Sequence, residues 1–295
     1  MKKDLKFNIW VRGGTSDATK IVQSLKDNLK DSINSINSVN NINNINLKII
    51  VTTATDFGGE IAKINADKVI SKPMPYEELK QKLITEEINY FIDATHPYAV
   101  KASDTGLKVC KELKITYIRY ERPGSALEEN LGKNDDKIIF AEDYEDAILK
   151  AFEVNKKESN IFFMAGIKNL KSVVELSETN GYDKNKIIAR MLPVSVYEAL
   201  KLLPSKNIVA MQGVFSKELN KHLILDYNCD VVITKDSGKS GGFYEKMEAT
   251  KEAGATLIIV KRPVSKDSNE DSDLNQNYRL KFDKIEDLVD YFLNI

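Results

Sequence analysis

Short apolar runs rich in valine and isoleucine alternate with amphipathic segments along almost the whole chain. The apolar runs predict strands at Phe7–Val11, Leu47–Thr53, Tyr90–Ala94, Thr116–Tyr120, Ile138–Ala141, Asn160–Ala165, Lys186–Met191, Asn207–Met211, Asp230–Thr234, Thr256–Lys261 and, with the least regular pattern, Tyr278–Phe282. The amphipathic segments predict helices, among them Ala99–Leu113, Tyr144–Asn155, Val196–Leu203 and Lys217–Tyr227. Strands that alternate with helices in this way predict an α/β fold with parallel sheets.

The length of 295 residues fits two domains better than one. Glu121–Asp136 has no apolar period and is the expected connection between the domains, while Ser265–Asn277 is a polar, acidic stretch expected to form a loop. Asn28–Asn46 repeats Ser, Ile and Asn and is expected to extend the first helix or to form an exposed loop. The predicted boundaries are 1–125 for the first domain, 137–265 for the second, and 276–295 for a C-terminal strand and helix that pack on the first.

Composition narrows the class of protein. The 43 basic and 44 acidic residues give a net charge of −1, which argues against a general nucleic-acid partner. Cys110 and Cys229 both lie in apolar patterns and are expected to be buried, unpaired residues in a reducing compartment. No apolar run is long enough to span a membrane, so a cytoplasmic protein, monomeric or homodimeric, is expected.

The segment Thr234–Lys246 is the strongest chemical signal in the sequence. It joins a predicted strand to a predicted helix through a glycine-rich loop that carries lysines and hydroxyl groups. Such a loop directs backbone N–H groups and the positive end of a helix at a bound anion. A second glycine-containing turn follows the first strand, at Trp10–Asp17. Two such turns predict two α/β halves that face one anionic ligand, or a ligand and a cofactor.

Basic side chains recur where predicted strands end, although the chain has no net positive charge. They are Arg119, Arg122, Lys168, Arg190 and Lys235. Because ligands bind beyond the carboxyl ends of parallel strands, this arrangement favours a ligand with several carboxylates or phosphates. The sequence contains no nucleophile elbow, Walker loop or zinc-type spacing, so the chemistry is expected to come from a cofactor.

Several of these stretches together resemble the precorrin-6A reductase and cobalt-precorrin-6A reductase family of cobalamin biosynthesis. The matching stretches are Gly13–Ala18, Asp93–Ala99, Arg119–Pro123, Arg190–Pro193, Met211–Asn220, Thr234–Lys246 and Lys261–Pro263. The resemblance implies an oxidoreductase that uses NADPH or NADH to reduce a polycarboxylate tetrapyrrole. It also implies two Rossmann-like domains that exchange their last strands.

The resemblance assigns site residues by position. The coenzyme is expected in the N-terminal domain, at Gly13, Gly14, Thr15, Thr53, Thr95 and His96. The macrocycle is expected at Arg122, Lys168, Arg190, Gln212, Ser216, Thr234, Lys235, Ser237, Gly241, Gly242 and Lys246. The catalytic proton donor is not identified, with His96 and Tyr98 as candidates, and no metal site is expected. Arg12 departs from the family pattern and is expected to be solvated rather than bound to a 2′-phosphate.

Two other functions remain open at this point. One is a coenzyme-free tetrapyrrole cyclase or isomerase similar to uroporphyrinogen-III synthase. The other is a two-lobed protein that binds an anion without turnover.

Overall fold

The computed structural model describes residues 5–13, 16–36, 45–53, 66–121, 136–238, 241–262 and 279–295. Up to residue 121 the elements are β1 (Leu5–Arg12), α1 (Ser16–Ile36), β2 (Ile45–Thr53), β3 (Lys68–Ser71), α2 (Tyr76–Thr85), β4 (Tyr90–Asp93), α3 (Val100–Leu113) and β5 (Thr116–Tyr120). The next elements are β6 (Ile138–Ala141), α4 (Tyr144–Val154), β7 (Asn160–Phe163), α5 (Leu170–Thr179), β8 (Ile187–Met191), α6 (Val196–Ala199), β9 (Ile208–Ala210), α7 (Lys217–Asp226), β10 (Cys229–Lys235), α8 (Phe243–Glu252) and β11 (Thr256–Val260). The last two are β12 (Arg279–Phe282) and α9 (Ile285–Leu293).

The chain divides into two compact units, Met1–Arg122 with Val264–Ile295, and Pro123–Pro263. The first unit contains a parallel sheet with the strand order β12-β5-β4-β1-β2-β3. Its central strand β1 is buried on both faces: Ile9 and Val11 pack with α1 and α9, and Trp10 packs with α2 and α3. The C-terminal strand and helix therefore complete the sheet and the core of this unit.

The second unit repeats the same plan. Its parallel sheet has the order β6-β11-β10-β7-β8-β9. On one face, Val232 and Phe162 pack against α7 and α8 in a core that includes Ile224 and Phe243. Alternation along the strands places Thr234 and Arg190 on this same face, at the carboxyl edge of the sheet.

The two sheets exchange their edge strands. β6 follows β5 along the chain but pairs with β11, whereas β12 follows β11 but pairs with β5. Each sheet therefore has five strands that follow one another along the chain, β1–β5 or β7–β11, and one edge strand that follows the last of the other five. This topology confirms the predicted α/β fold with two parallel sheets and exchanged last strands.

Three local features differ from, or refine, the expected elements. The sequence pattern does not predict β3, because this four-residue edge strand is only partly buried and shows no apolar alternation. The helix expected at Val196–Leu203 is wrong in length: it ends at Ala199, ahead of Pro204, which cannot continue a helix. The first helix does extend into the Ser-Ile-Asn region, as far as Ile36. The expected loop at 265–277, and 122–135 of the expected connection, lie outside the described residues.

Candidate functional site

The end of β1 is packed so closely that residue 13 must be glycine. The Gly13 N–H donates to the Thr52 carbonyl at 2.7 Å, and a Cβ on Gly13 would lie 2.7 Å from the Ala18 Cβ. Glycine here lets α1 approach the sheet immediately after β1. Thr53 is buried at the end of the neighbouring β2. Gly14 and Thr15, the other residues expected in this turn, lie outside the described residues.

A buried carboxylate organises the carboxyl end of β4. Asp93 is fully buried, and its Oδ1 lies 3.0 Å from Arg119 Nη1. The Thr95 N–H and hydroxyl donate to the same oxygen at 3.0 and 2.7 Å, and the Tyr117 hydroxyl donates to Oδ2 at 2.6 Å. Burial alone would raise the pKa of Asp93, but Arg119 and the hydrogen bonds from Ser103, Tyr117 and Thr95 together lower it. The network fixes the start of the loop that carries His96.

A small cavity lies beside this loop, at the carboxyl edge of the first sheet. It is lined by Asp17, Ala94, Thr95, His96, Pro97, Tyr120 and Glu121. The Tyr98 backbone N–H donates to His96 Nδ1 at 3.4 Å, and the two rings have centroids 5.3 Å apart. The cavity adjoins the N-terminus of α1 and offers carboxylate, hydroxyl and imidazole groups. These groups can donate hydrogen bonds to, and accept them from, a polar ligand.

Arg12 is buried, so the expectation of a solvated side chain is wrong. Only 8% of the residue is exposed. Its guanidinium donates to the Ala102 carbonyl and lies 5.3 Å from the centre of the Phe91 ring. Burial lowers its pKa, against the opposing field of Asp93. The side chain follows the strand alternation towards α3, which the sequence motif did not indicate.

In the second unit, the loop after β10 is held in shape by its own polar groups. Asp236 accepts a hydrogen bond from the Gly238 N–H at 3.0 Å and pairs with Arg262 at 3.3 Å. The Gly241 carbonyl accepts from the Ser237 hydroxyl at 3.0 Å and from Lys246 Nζ at 3.1 Å. The described residues of this loop are thereby tied to the first turn of α8.

Three cations lie close together around this loop. The pKa of Lys246 is lowered to about 7, first by burial and then by the charges of Arg190 and Lys235, against the opposing field of Glu245. Burial also lowers the pKa of Arg190, to about 10. Cations that lie together at a helix N-terminus favour the binding of an anion.

Arg190 is held by two residues that lie in the matching stretch Met211–Asn220 but were not among the expected site residues. Its Nη1 donates to Asn220 Oδ1 at 2.7 Å, and its guanidinium carbon lies 5.4 Å from the centre of the Phe215 ring. Asn220 is 1% exposed although it lies on an otherwise amphipathic helix. The sequence pattern that could have identified Asn220 is a polar residue on the apolar face of a predicted helix.

The other expected macrocycle residues have varied surroundings. Thr234 is fully buried, and its hydroxyl has no hydrogen-bond partner within the described residues. Ser216 caps α7 by accepting from the Leu219 N–H, and Gln212 and Lys168 are exposed in turns. Gly242 has φ +66°, and a Cβ there would lie 2.8 Å from Val214 Cγ1. Arg122 lies outside the described residues.

Both cysteines are buried and unpaired, as predicted. Burial raises the pKa of Cys110, and raises that of Cys229 to about 12, so neither thiol ionises readily.

Within the described ranges, no group of three or more His, Cys, Asp or Glu residues is placed to hold a metal ion. A search of the same residues for a helix long and apolar enough to cross a membrane finds none.

Comparison with known proteins identifies similar sequences over nearly the full length. A model of the precorrin-6x reductases CbiJ/CobK matches residues 34–291. The cobalt-precorrin-6A reductase of Methanococcus maripaludis is 52% identical over 289 residues, which are 98% of this chain and 100% of that protein. The enzyme of the same name from Methanocaldococcus jannaschii is 45% identical over 98% of this chain and 99% of its own length.

A solved structure shows the same fold. CobK precorrin-6A reductase superposes with a TM-score of 0.67 and 17% sequence identity, over 98% of this chain and 97% of that one.

Proposed function

The chain belongs to the precorrin-6x reductase family, and from this premise we propose that it reduces cobalt-precorrin-6A with a nicotinamide coenzyme. The family membership confirms the resemblance seen in the sequence motifs. The chain is therefore an oxidoreductase that acts on a tetrapyrrole intermediate of cobalamin biosynthesis. This membership decides against the coenzyme-free cyclase and the non-catalytic anion-binding protein. The cobalt form is proposed as the substrate because the two full-length relatives carry that name.

We place the substrate in the second unit because Arg190, Lys235 and Lys246 cluster there. Burial first, and then the charges of Arg190 and Lys235, lower the pKa of Lys246. A macrocycle with several carboxylates would form charge-assisted hydrogen bonds to these side chains. The glycine-rich loop before α8 and the buried Thr234 hydroxyl add polar groups at the same edge of the sheet. The field of the cations would also favour negative charge developing on the ring as it accepts a hydride.

We place the coenzyme in the first unit, at the turn after β1 and at the cavity beside His96. When bound, the coenzyme supplies the hydride. The residues of this unit would hold and orient it: Gly13 through close packing, the buried Thr53 at the end of β2, and the Asp93 network by fixing Thr95 and His96. Hydride transfer needs the reacting carbons within roughly 3–3.5 Å of each other, so orientation is the main catalytic task.

His96 is our first choice for the group that protonates the carbon next to the one that receives the hydride. Because its Nδ1 accepts the Tyr98 N–H, the ring would carry its transferable proton on Nε2. Tyr98 is the second choice. A His96→Gln variant should bind the coenzyme but turn over at least tenfold more slowly. Unchanged turnover would exclude His96 and favour Tyr98 or water.

In the first experiment, the purified protein is titrated with NADH and with NADPH separately, and binding is measured by calorimetry. Saturable binding of one coenzyme supports the proposal and identifies the coenzyme. Absence of binding for both, with cobalt-precorrin-6A present, would refute it.

A second experiment tests the substrate side. Lys235→Ala should weaken cobalt-precorrin-6A binding by about 1.5–3 kcal/mol, the range for a hydrogen bond to a charged group. The matched control is Lys171→Ala, which removes an exposed lysine from α5 of the same unit. Equal affinities for the two variants would contradict the placement of the macrocycle.

A further inference from the structure

The arginines at the strand ends of this protein differ in how they are held. Arg119 pairs with Asp93 at 3.0 Å, and Arg262 pairs with Asp236 at 3.3 Å. These two guanidinium groups are neutralised by carboxylates within the protein. Arg12, at the end of β1, is held by the Ala102 carbonyl and the Phe91 ring, and it also experiences the field of Asp93. Arg190 is held by an amide oxygen and an aromatic ring, both of which are neutral.

The neutral partner of Arg190 is itself fixed in one orientation. Asn220 Nδ2 donates to the Phe215 carbonyl at 3.1 Å and to the Ser216 carbonyl at 2.8 Å. With both N–H bonds directed at carbonyl oxygens, the amide must turn its oxygen towards Arg190. A flipped amide would place its NH₂ group against the guanidinium and would withdraw the side-chain donor from the Phe215 and Ser216 carbonyls, of which that of Ser216 would keep the Asn220 backbone N–H.

We propose that Asn220 is a positioning residue: it anchors the guanidinium of Arg190 through an uncharged acceptor, so that the full positive charge remains available to a substrate carboxylate. This inference rests on the proposed function. An aspartate at position 220 would reach Arg190 equally well but would neutralise it, as Asp93 neutralises Arg119. The choice of an amide over a carboxylate at this position would therefore set the affinity for the macrocycle.

The test is a double-mutant cycle on Arg190 and Asn220, with the dissociation constant for cobalt-precorrin-6A as the measured quantity. Asn220→Asp should weaken binding about tenfold to a hundredfold, close to the effect of Arg190→Ala. Asn220→Ala should weaken binding in the wild-type background and should have little further effect in the Arg190→Ala background, because the guanidinium that the amide positions is already gone. Equal weakening in both backgrounds would overturn the inference.

The chain offers a matched control for the structural cost of the substitution. Asn207 is also buried, and its Nδ2 also donates to two backbone carbonyls, those of Asn185 and Ile187, at 2.7 and 2.9 Å. It lies at the amino end of β9, whereas Arg190 lies near the carboxyl end of β8. Asn207→Asp therefore removes the same two side-chain donors without affecting Arg190. The dissociation constant of its folded fraction for cobalt-precorrin-6A should equal that of the wild type.

The outcomes separate this inference from the proposed function. If Arg190→Ala leaves macrocycle affinity unchanged, the placement of the substrate is wrong. If Arg190→Ala weakens binding while Asn220→Asp does not, the substrate placement stands and the role of Asn220 is wrong. Urea unfolding followed by circular dichroism reports the folded fraction of every variant. If that fraction of Asn220→Asp is too small to assay, the cycle with Asn220→Ala decides alone.

Discussion

The pKa of Lys246 predicts that affinity for the macrocycle falls as the pH rises through neutrality. In the free protein this pKa is about 7, because burial and the charges of Arg190 and Lys235 outweigh the field of Glu245. The carboxylates of the substrate are ionised from pH 6 to pH 8, so they prefer the protonated lysine. A bound carboxylate also raises the pKa of Lys246, so that binding takes up a proton above pH 7.

The magnitude follows from the protonated fraction. With a pKa of about 7, the lysine is about 90% protonated at pH 6 and about 10% at pH 8, and apparent affinity scales with the competent fraction. The dissociation constant for cobalt-precorrin-6A should therefore rise about tenfold across this range, or about 1.4 kcal/mol. Binding is measured by calorimetry without coenzyme, so that no step of the reaction contributes to the measurement.

Two variants at position 246 test the reasoning. Lys246→Arg keeps its charge throughout this range and should give a nearly flat profile. Lys246→Met should bind weakly at every pH. A wild-type profile that stays flat, or a Lys246→Arg profile that falls as steeply as the wild type, would refute the assignment.

Three further predictions concern the core and the cysteines. Gly13→Ala should destabilise the protein by about 1–3 kcal/mol in urea unfolding, and Ala18→Gly should recover part of this loss if the clash between their Cβ atoms is the cause. Asp93→Asn should cost up to about 3–5 kcal/mol, because the half-buried Arg119 loses its nearest carboxylate and keeps the longer contact with Glu121, at 4.0 Å. Because the pKa of Asp93 is lowered in the folded protein, its stabilisation is present above about pH 4 and is lost as the pH falls through the native pKa. The free energy of unfolding of Asp93→Asn should therefore fall less steeply with decreasing pH than that of the wild type. An equally steep fall in both proteins would contradict this. Replacing both Cys110 and Cys229 by serine should leave turnover largely intact, and a loss of turnover greater than the loss of folded protein would show a role for a thiol.

The sequence was sufficient for the strands and their parallel pairing. Apolar runs such as Asp230–Thr234 are buried on both faces, so their hydrophobic pattern alone predicts a strand in a covered parallel sheet. The edge strand β3 was missed for the converse reason, since a partly buried strand needs no continuous apolar run. The glycine-rich loop before α8 was also predictable, because its residues are adjacent in the sequence.

The sequence by itself determined which residue types stand at the strand ends, but only the tertiary structure decided which of these charges are neutralised. Arg119 and Arg190 look alike in the sequence, as single arginines at or near the end of a strand. Arg119 meets Asp93 from the neighbouring strand, whereas Arg190 meets Asn220 from a helix thirty positions away. The strength of an ion pair depends on distance and burial, and these are set by packing between segments that are remote in the sequence.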